Sequence, residues 1–205
     1  TADWIVDLGP EGGSGGGESI LGSAFDDTLY GGTGNDTING AAGNDTLEGG
    51  LGNDTIDGGA GDDAIYIRDT DTSGTDSVIG GVGNDGLVLN RTDNWTVTYG
   101  PGQGVGTAPS ANGQTVVNFS QLEQITGGAG HDLIDATNAG SAVGGWGNDG
   151  NDTFLGGAFN DTMFSGAGSD SLIGAGGNDA LRGADGGDFI DGGIGADNLH
   201  GEWGN

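Results

Sequence analysis

The chain has no cysteine and no lysine, and its 205 residues include only three Arg, two His, three Pro and one Met. Without cysteine no disulfide staples the fold, and no redox compartment can be read. Without lysine there is no phosphate-binding lysine of the nucleotide-site kind. So little positive charge against 31 acids, a formal net charge of −28, excludes nucleic acid as a partner, because phosphate contacts need Lys and Arg. No apolar run approaches the roughly 20 residues of a membrane span, so no membrane insertion is expected. The first residues, TADWIVDLG, lack the basic start and apolar core of a signal peptide. The two histidines, His131 and His200, lie far apart in sequence and form no zinc-type cluster. Residues 12–16 spell G-x-S-x-G, but in a Gly/Ser run with no strand–turn–helix context around it. No catalytic machinery is visible, and the chain reads as no enzyme.

Glycine is abundant instead, at 51 residues, and it falls in a period of nine. From Gly22 the sequence runs GSAFDDTLY, GGTGNDTIN, GAAGNDTLE, GGLGNDTID and GGAGDDAIY. Upstream, GSGGGESIL keeps the phase with Glu18 in place of Asp. A four-residue insertion, 67–70, precedes DTSGTDSVI and GGVGNDGLV. The pattern restarts with GGAGHDLID at Gly127 and, after an irregular stretch through Trp146, continues from GNDGNDTFL to GGIGADNLH. The sixth position is Asp27, Asp36, Asp45, Asp54, Asp63, Asp76, Asp85, Asp132, Asp152, Asp161, Asp170, Asp179, Asp188 and Asp197. The eighth is always apolar, from Ile20 and Leu29 to Ile190 and Leu199.

These blocks resemble the RTX, or haemolysin-type, calcium-binding repeat G-G-x-G-x-D-x-U-x, with U a large apolar residue. The resemblance implies an all-β fold, a right-handed parallel β-roll in which six residues turn, three form a strand, and two blocks complete one coil. It places Asp27, Asp45 and Asp63 along one edge and Asp36 and Asp54 along the other. In the second array Asp152, Asp170 and Asp188 share an edge opposite Asp161, Asp179 and Asp197.

Stacked coils lie about 4.8 Å apart, so aligned carboxylates repel. A hard cation with 6–8 oxygen ligands removes that repulsion. Two carboxylates supply only part of such a shell, and turn carbonyls, freed by glycine, must supply the rest. Multiple Ca²⁺ ions are therefore the expected cofactor, held by the sixth-position aspartates together with Asp149, which competes for a ligand role in the crowded turns of GGWGNDGNDT. Calcium binding is expected to provide the folding energy, leaving the calcium-free chain largely disordered.

Four regions follow: an N-terminal cap and degenerate first repeat (1–21), a first array (22–88), an inserted β-hairpin or loop (89–126) and a second array (127–205). In the insertion Trp95, Val97 and Tyr99 alternate with threonines, and Val117 and Phe119 mark a second strand. Trp95 and Tyr99 read as packing residues, with a ligand-binding loop as the alternative. Trp4 and Ile5 are expected to cap the first coil, and Trp146 and Trp203 to sit exposed in turns. Residues 69–80 begin like an EF-hand loop, with Asp69, Asp71, Ser73 and Gly74, but end on Gly80 where a bidentate Glu is needed. The third turn position, Thr33, Ala42, Leu51 and Ala60, forms no threonine row of the kind an ice-binding surface presents.

The expected function is a calcium-folded extracellular structural or adhesive module, secreted or at the cell surface. The family resemblance implies bacterial type I secretion. The break within a motif at Asn205 suggests a piece of something longer, or homotypic end-to-end association into a filament. The alternative is the calcium-dependent folding and secretion module of a larger secreted enzyme or toxin.

Overall fold

A β-strand turns successive side chains to opposite faces, so a three-residue strand buries its middle residue and exposes the two beside it. Thr37, Ile38 and Asn39 do this, with only Ile38 buried, and the pattern recurs throughout the repeats. The computed structural model describes residues 5–7, 16–68, 74–90, 96–99, 106–109, 115–120 and 123–202. Trp4, Asp69, Asp71, Trp95, Trp203 and the side chain of Tyr99 lie outside the described residues.

Two sheets face each other. The first has ten parallel strands in sequence order: β1 (Ile5–Asp7), β3 (Thr28–Thr33), β5 (Thr46–Leu51), β7 (Ala64–Arg68), β9 (Gly86–Asn90), β13 (Gln124–Thr126), β15 (Gly144–Asp149), β17 (Thr162–Gly168), β19 (Ala180–Gly186) and β21 (Asn198–His200). The second interleaves β2 (Ser19–Leu21), β4 (Thr37–Asn39), β6 (Thr55–Ala60) and β8 (Gly74–Val82) with β14 (Leu133–Asp135), β16 (Thr153–Leu155), β18 (Ser171–Ile173) and β20 (Phe189–Asp191). Between these halves it carries β10 (Thr96–Tyr99), β11 (Gly106–Pro109) and β12 (Thr115–Ser120). The chain alternates between sheets, giving the parallel solenoid expected of the nonapeptide pattern.

Register is set by the eighth position. Leu29 pairs with Leu47, Leu47 with Ile65 and Ile65 with Leu87 in one sheet, and Ile38 with Ile56 and Ile56 with Val78 in the other. All are essentially inaccessible and belong to one core cluster that runs the length of the roll. Each buried Leu or Ile contributes about 1.5–3 kcal/mol. The insertion after Tyr66 prolongs β7, so that Ile67 pairs with Leu89 and adds a second buried pair to that coil.

Two departures from regularity shape the middle. The inserted segment supplies three strands: β12 joins β8 and β10 joins β14, both in parallel, while β11 pairs antiparallel with each. The expected hairpin is thus extended by a third strand, β11, lying between the other two. The first sheet runs past it unbroken, with β9 paired to β13 and β13 to β15. At Gly145 an eighth position lacks a side chain, and the Phe154 ring crosses from the opposite sheet to fill the space; a Cβ there would lie 2.6 Å from the ring.

Candidate metal centre

The turns build the site. In the regular blocks the second and fourth residues have positive φ, as at Gly50 (+101°) and Gly52 (+140°). Glycine reaches this region without the penalty a Cβ brings. Space demands it as well: a Cβ on Gly52 would run into the carbonyl oxygen of Gly34, one coil back. The carbonyls of second and fourth residues therefore point toward the next coil. That of the first residue points the other way, since a Cβ on Gly31 would meet the Gly49 oxygen at 2.5 Å.

The sixth-position aspartates form a ladder through this space. The backbone N–H of Asp36 donates to Asp54 Oδ1 at 2.8 Å, that of Asp54 to Asp76 Oδ1 at 3.0 Å, and that of Asp45 to Asp63 Oδ1 at 2.8 Å. In the second half Asp132 donates to Asp152, Asp152 to Asp170, Asp161 to Asp179 and Asp179 to Asp197 in the same way. The second carboxylate oxygen is different. Oδ2 of Asp36, Asp45, Asp54, Asp63, Asp85, Asp152, Asp170, Asp179 and Asp188 is buried with no hydrogen-bond partner. A buried charge without a partner is costly, and here the cost is repeated along both edges.

Its electrostatic signature is consistent. Burial, reinforced by neighbouring carboxylates of the row, pushes Asp54 up to about 6 and Asp63 and Asp152 up to about 7. Burial likewise raises Asp45, Asp85, Asp161 and Asp179. Among the described residues no three Asp, Glu or His side chains converge as a metal-holding group. Any ion must therefore draw on backbone carbonyls beside the carboxylates, and those carbonyls face the same inter-coil space. Hard oxygen donors of this kind suit Ca²⁺.

Six segments match the RTX calcium-binding nonapeptide repeat (four copies): residues 12–47, 42–66, 70–90, 123–138, 146–181 and 173–205. The chain belongs to the RTX repeat family. Its repeats bind Ca²⁺. A short stretch is also similar to UvrABC system protein A of Escherichia coli (strain K12) and of Salmonella typhimurium, 86% identical over 21 residues. That is 10% of this chain and 2% of those proteins, too little to bear on the RTX roll.

The sequence-predicted residues fall into three groups. Asp36, Asp45, Asp54, Asp63, Asp76, Asp85, Asp152, Asp170 and Asp179 lie buried within the ladders, and Asp188 and Asp197 stand half-buried at their C-terminal ends. Asp27, Asp132 and Asp161 each stand first in a row, and their Oδ2 turns back to accept the N–H of Ser23 (2.5 Å), Gly128 (3.0 Å) and Gly157 (2.9 Å). Phe25 and Phe159, at fourth positions that the regular blocks fill with left-handed glycine, mark two of these turns. Asp149 is exposed at a third position, paired in register with Ala167 and outside the ladder.

Glu123 is a ladder residue that the repeat pattern does not mark. Its Oε2 accepts the N–H of Asp85 at 3.1 Å, extending that row by one coil. The signal was Ile125, fully buried two residues later, as Ile20 follows Glu18. His131 is exposed and does the work of the usual asparagine, its Nδ1 accepting the N–H of Asn151 at 2.7 Å. Trp146 is half-buried and stacks on Phe164, with ring centroids 6.0 Å apart.

Proposed function

We propose that this chain is a calcium-folded extracellular structural or adhesive module whose ladder aspartates receive calcium between successive coils. The observation that carries the reading is the row of buried Oδ2 atoms with no protein partner. Asp36, Asp45, Asp54, Asp63, Asp76 and Asp85 would act in the first half, and Asp152, Asp170, Asp179 and Asp188 in the second. Asp27, Asp132, Asp161 and Asp197 close the row ends, and Asp149 stays outside. Bound Ca²⁺ supplies the positive charge and the demand for six to eight oxygens. The chain holds one carboxylate oxygen of each pair fixed by a backbone N–H, aims carbonyls through left-handed glycines, and excludes water by stacking.

Extracellular modules bind Ca²⁺ with dissociation constants of about 10⁻⁴–10⁻³ M, which matches a chain that folds after export. Type I secretion, common among RTX proteins, fits that order of events. End-to-end association is the finer part of this proposal, since open edges of a parallel sheet invite pairing. The test is a calcium titration followed by circular dichroism and sedimentation. A disorder-to-β transition with growing particle size supports a self-associating structural element. The same transition ending in a monomer supports the alternative, a folding module serving a larger secreted protein. No transition refutes the calcium reading of the ladder.

A further inference from the structure

The regular turns open on glycine, with Ser165 the exception among the described residues of the two arrays. The reason for glycine is visible at Gly31, where a Cβ would lie 2.5 Å from both Asp36 Oδ2 and the Gly49 carbonyl oxygen. The same pair, an aspartate Oδ2 of the same turn and a first-position carbonyl of the next coil, crowds Gly40, Gly58, Gly147 and Gly174. At each level, then, two oxygens converge over a bare Cα with no proton from the protein between them.

Ser165 puts a side chain into that space. It is 0% exposed, and its Oγ donates to the Gly183 carbonyl oxygen at 2.8 Å, with the Arg182 carbonyl oxygen 3.4 Å away. The carbonyl that would face a cation is thus already engaged by a hydroxyl. Asp170 Oδ2, in the same turn, remains buried without a partner, so half of the site persists.

We propose that Ser165 is a hydrogen-bonded plug that makes the Asp170 level the weakest calcium site of the second array, the last to fill. This rests on the reading that the unpartnered aspartate oxygens receive calcium. Before an ion can use the Gly183 oxygen, the hydroxyl must give up its bond, and a neutral hydroxyl replaces it only as a weak ligand. The same hydroxyl ties coil 165–173 to coil 183–191 without metal. This level is therefore closed at low calcium and altered only at high calcium.

The experiment is equilibrium dialysis of the whole chain with ⁴⁵Ca²⁺, comparing wild type, Ser165→Gly, Ser165→Ala and Asp170→Asn. Glycine is the residue of every neighbouring turn, so Ser165→Gly is compatible with the fold. It should tighten one site by about tenfold, about the net worth of the lost hydrogen bond, and leave the saturating number of ions unchanged. Ser165→Ala, which loses the same hydrogen bond but keeps the Cβ in the space, should tighten that site less than Ser165→Gly does, and Asp170→Asn should remove it. Superimposable isotherms for wild type and Ser165→Gly would overturn the inference while leaving the calcium reading intact. No uptake by any variant would overturn both.

Discussion

The backbone N–H of Asp27 donates to Oδ1 of Asp45, eighteen residues later and one coil along, at 2.7 Å. Repeated along both edges, this bond makes each aspartate a clamp on the coil before it. It also fixes the carboxylate, so that Oδ2 cannot swing out to water. A neighbouring ladder runs the opposite way: the N–H of Asn53 donates back to Asn35 Oδ1 at 2.9 Å, and that of Asp62 to Asn44 Oδ1 at 2.9 Å. Two antiparallel ladders hold each turn rigid. The inner one ends in unneutralised charge, so rigidity and the need for a cation have the same source.

Protons should partly replace calcium. Asp54, at about 6, and Asp63 and Asp152, at about 7, are raised in the fold above an ordinary value of 3.8. An acid raised by folding stabilises fully below its unfolded value, and that contribution is lost as pH climbs through the folded value. In chelator, lowering the pH from about 7.5 to about 4 should therefore increase β structure by circular dichroism. Conversely, the calcium midpoint should rise as the pH falls below 7, because metal and proton compete for one oxygen. A spectrum in chelator that does not change across this range would contradict the proposed burial of charge.

Asp63→Asn should act with opposite sign in the two conditions. The amide oxygen can still accept the N–H of Asp45, so the clamp survives. With calcium, the loss of a charged oxygen should raise the folding midpoint. In chelator, the loss of a buried negative charge should ease folding. Asp62→Asn, exposed beside it, is the control and should shift neither by more than about 0.5 kcal/mol. Destabilisation of equal size with and without calcium would mean that Asp63 is structural only.

Much of this was legible because the period is rigid. A nine-residue spacing that puts Leu29, Ile38, Leu47 and Ile56 at one position fixes the core, and the strands follow from it. Glu123 and Ile125 are not legible in the sequence because the block around them contains no glycine, the residue that marks the period. The turned-back carboxylate of Asp132 was invisible for another reason. Its block, GGAGHDLID, matches the repeat in full, and what differs is the backbone of the turn, where neither Gly128 nor Gly130 takes the positive φ of the regular blocks, which no local pattern reports. Strand β11 contains Gly106 and Pro109 and shows no alternation; it is held by backbone pairing to neighbours on both sides.

Phe154 and Gly145 should be energetically coupled across the core. Gly145→Ala places a Cβ against the ring and should cost about 1–3 kcal/mol by overpacking. Phe154→Leu empties the space the ring fills and should also destabilise. Together the smaller side chain makes room for the added methyl, so the double variant should cost less than the sum, with a coupling of about 0.5–3 kcal/mol. Urea unfolding at saturating calcium measures all four corners of the cycle. Additive costs would show that the ring does not fill the place of the missing side chain.

Val143 tests whether a carboxylate alone makes a site. It occupies the sixth position between Glu123 and Asp161, is buried, and donates its N–H to Asp161 Oδ1 at 2.9 Å. The backbone ladder passes through it intact: Gly144 donates to the Glu123 carbonyl and Thr162 to that of Val143. What differs is the turn before it, Asn138 to Ala142, where no residue takes the positive φ seen at second and fourth positions of the regular blocks. Carbonyls there are not aimed into the inter-coil space by alternating handedness. Val143→Asp should thus bury a charge without building its shell, costing about 3–5 kcal/mol in chelator, with little recovery on adding calcium. Uptake of one further ion, with wild-type stability restored, would show that the row of aspartates suffices and that the left-handed glycines are dispensable to the metal.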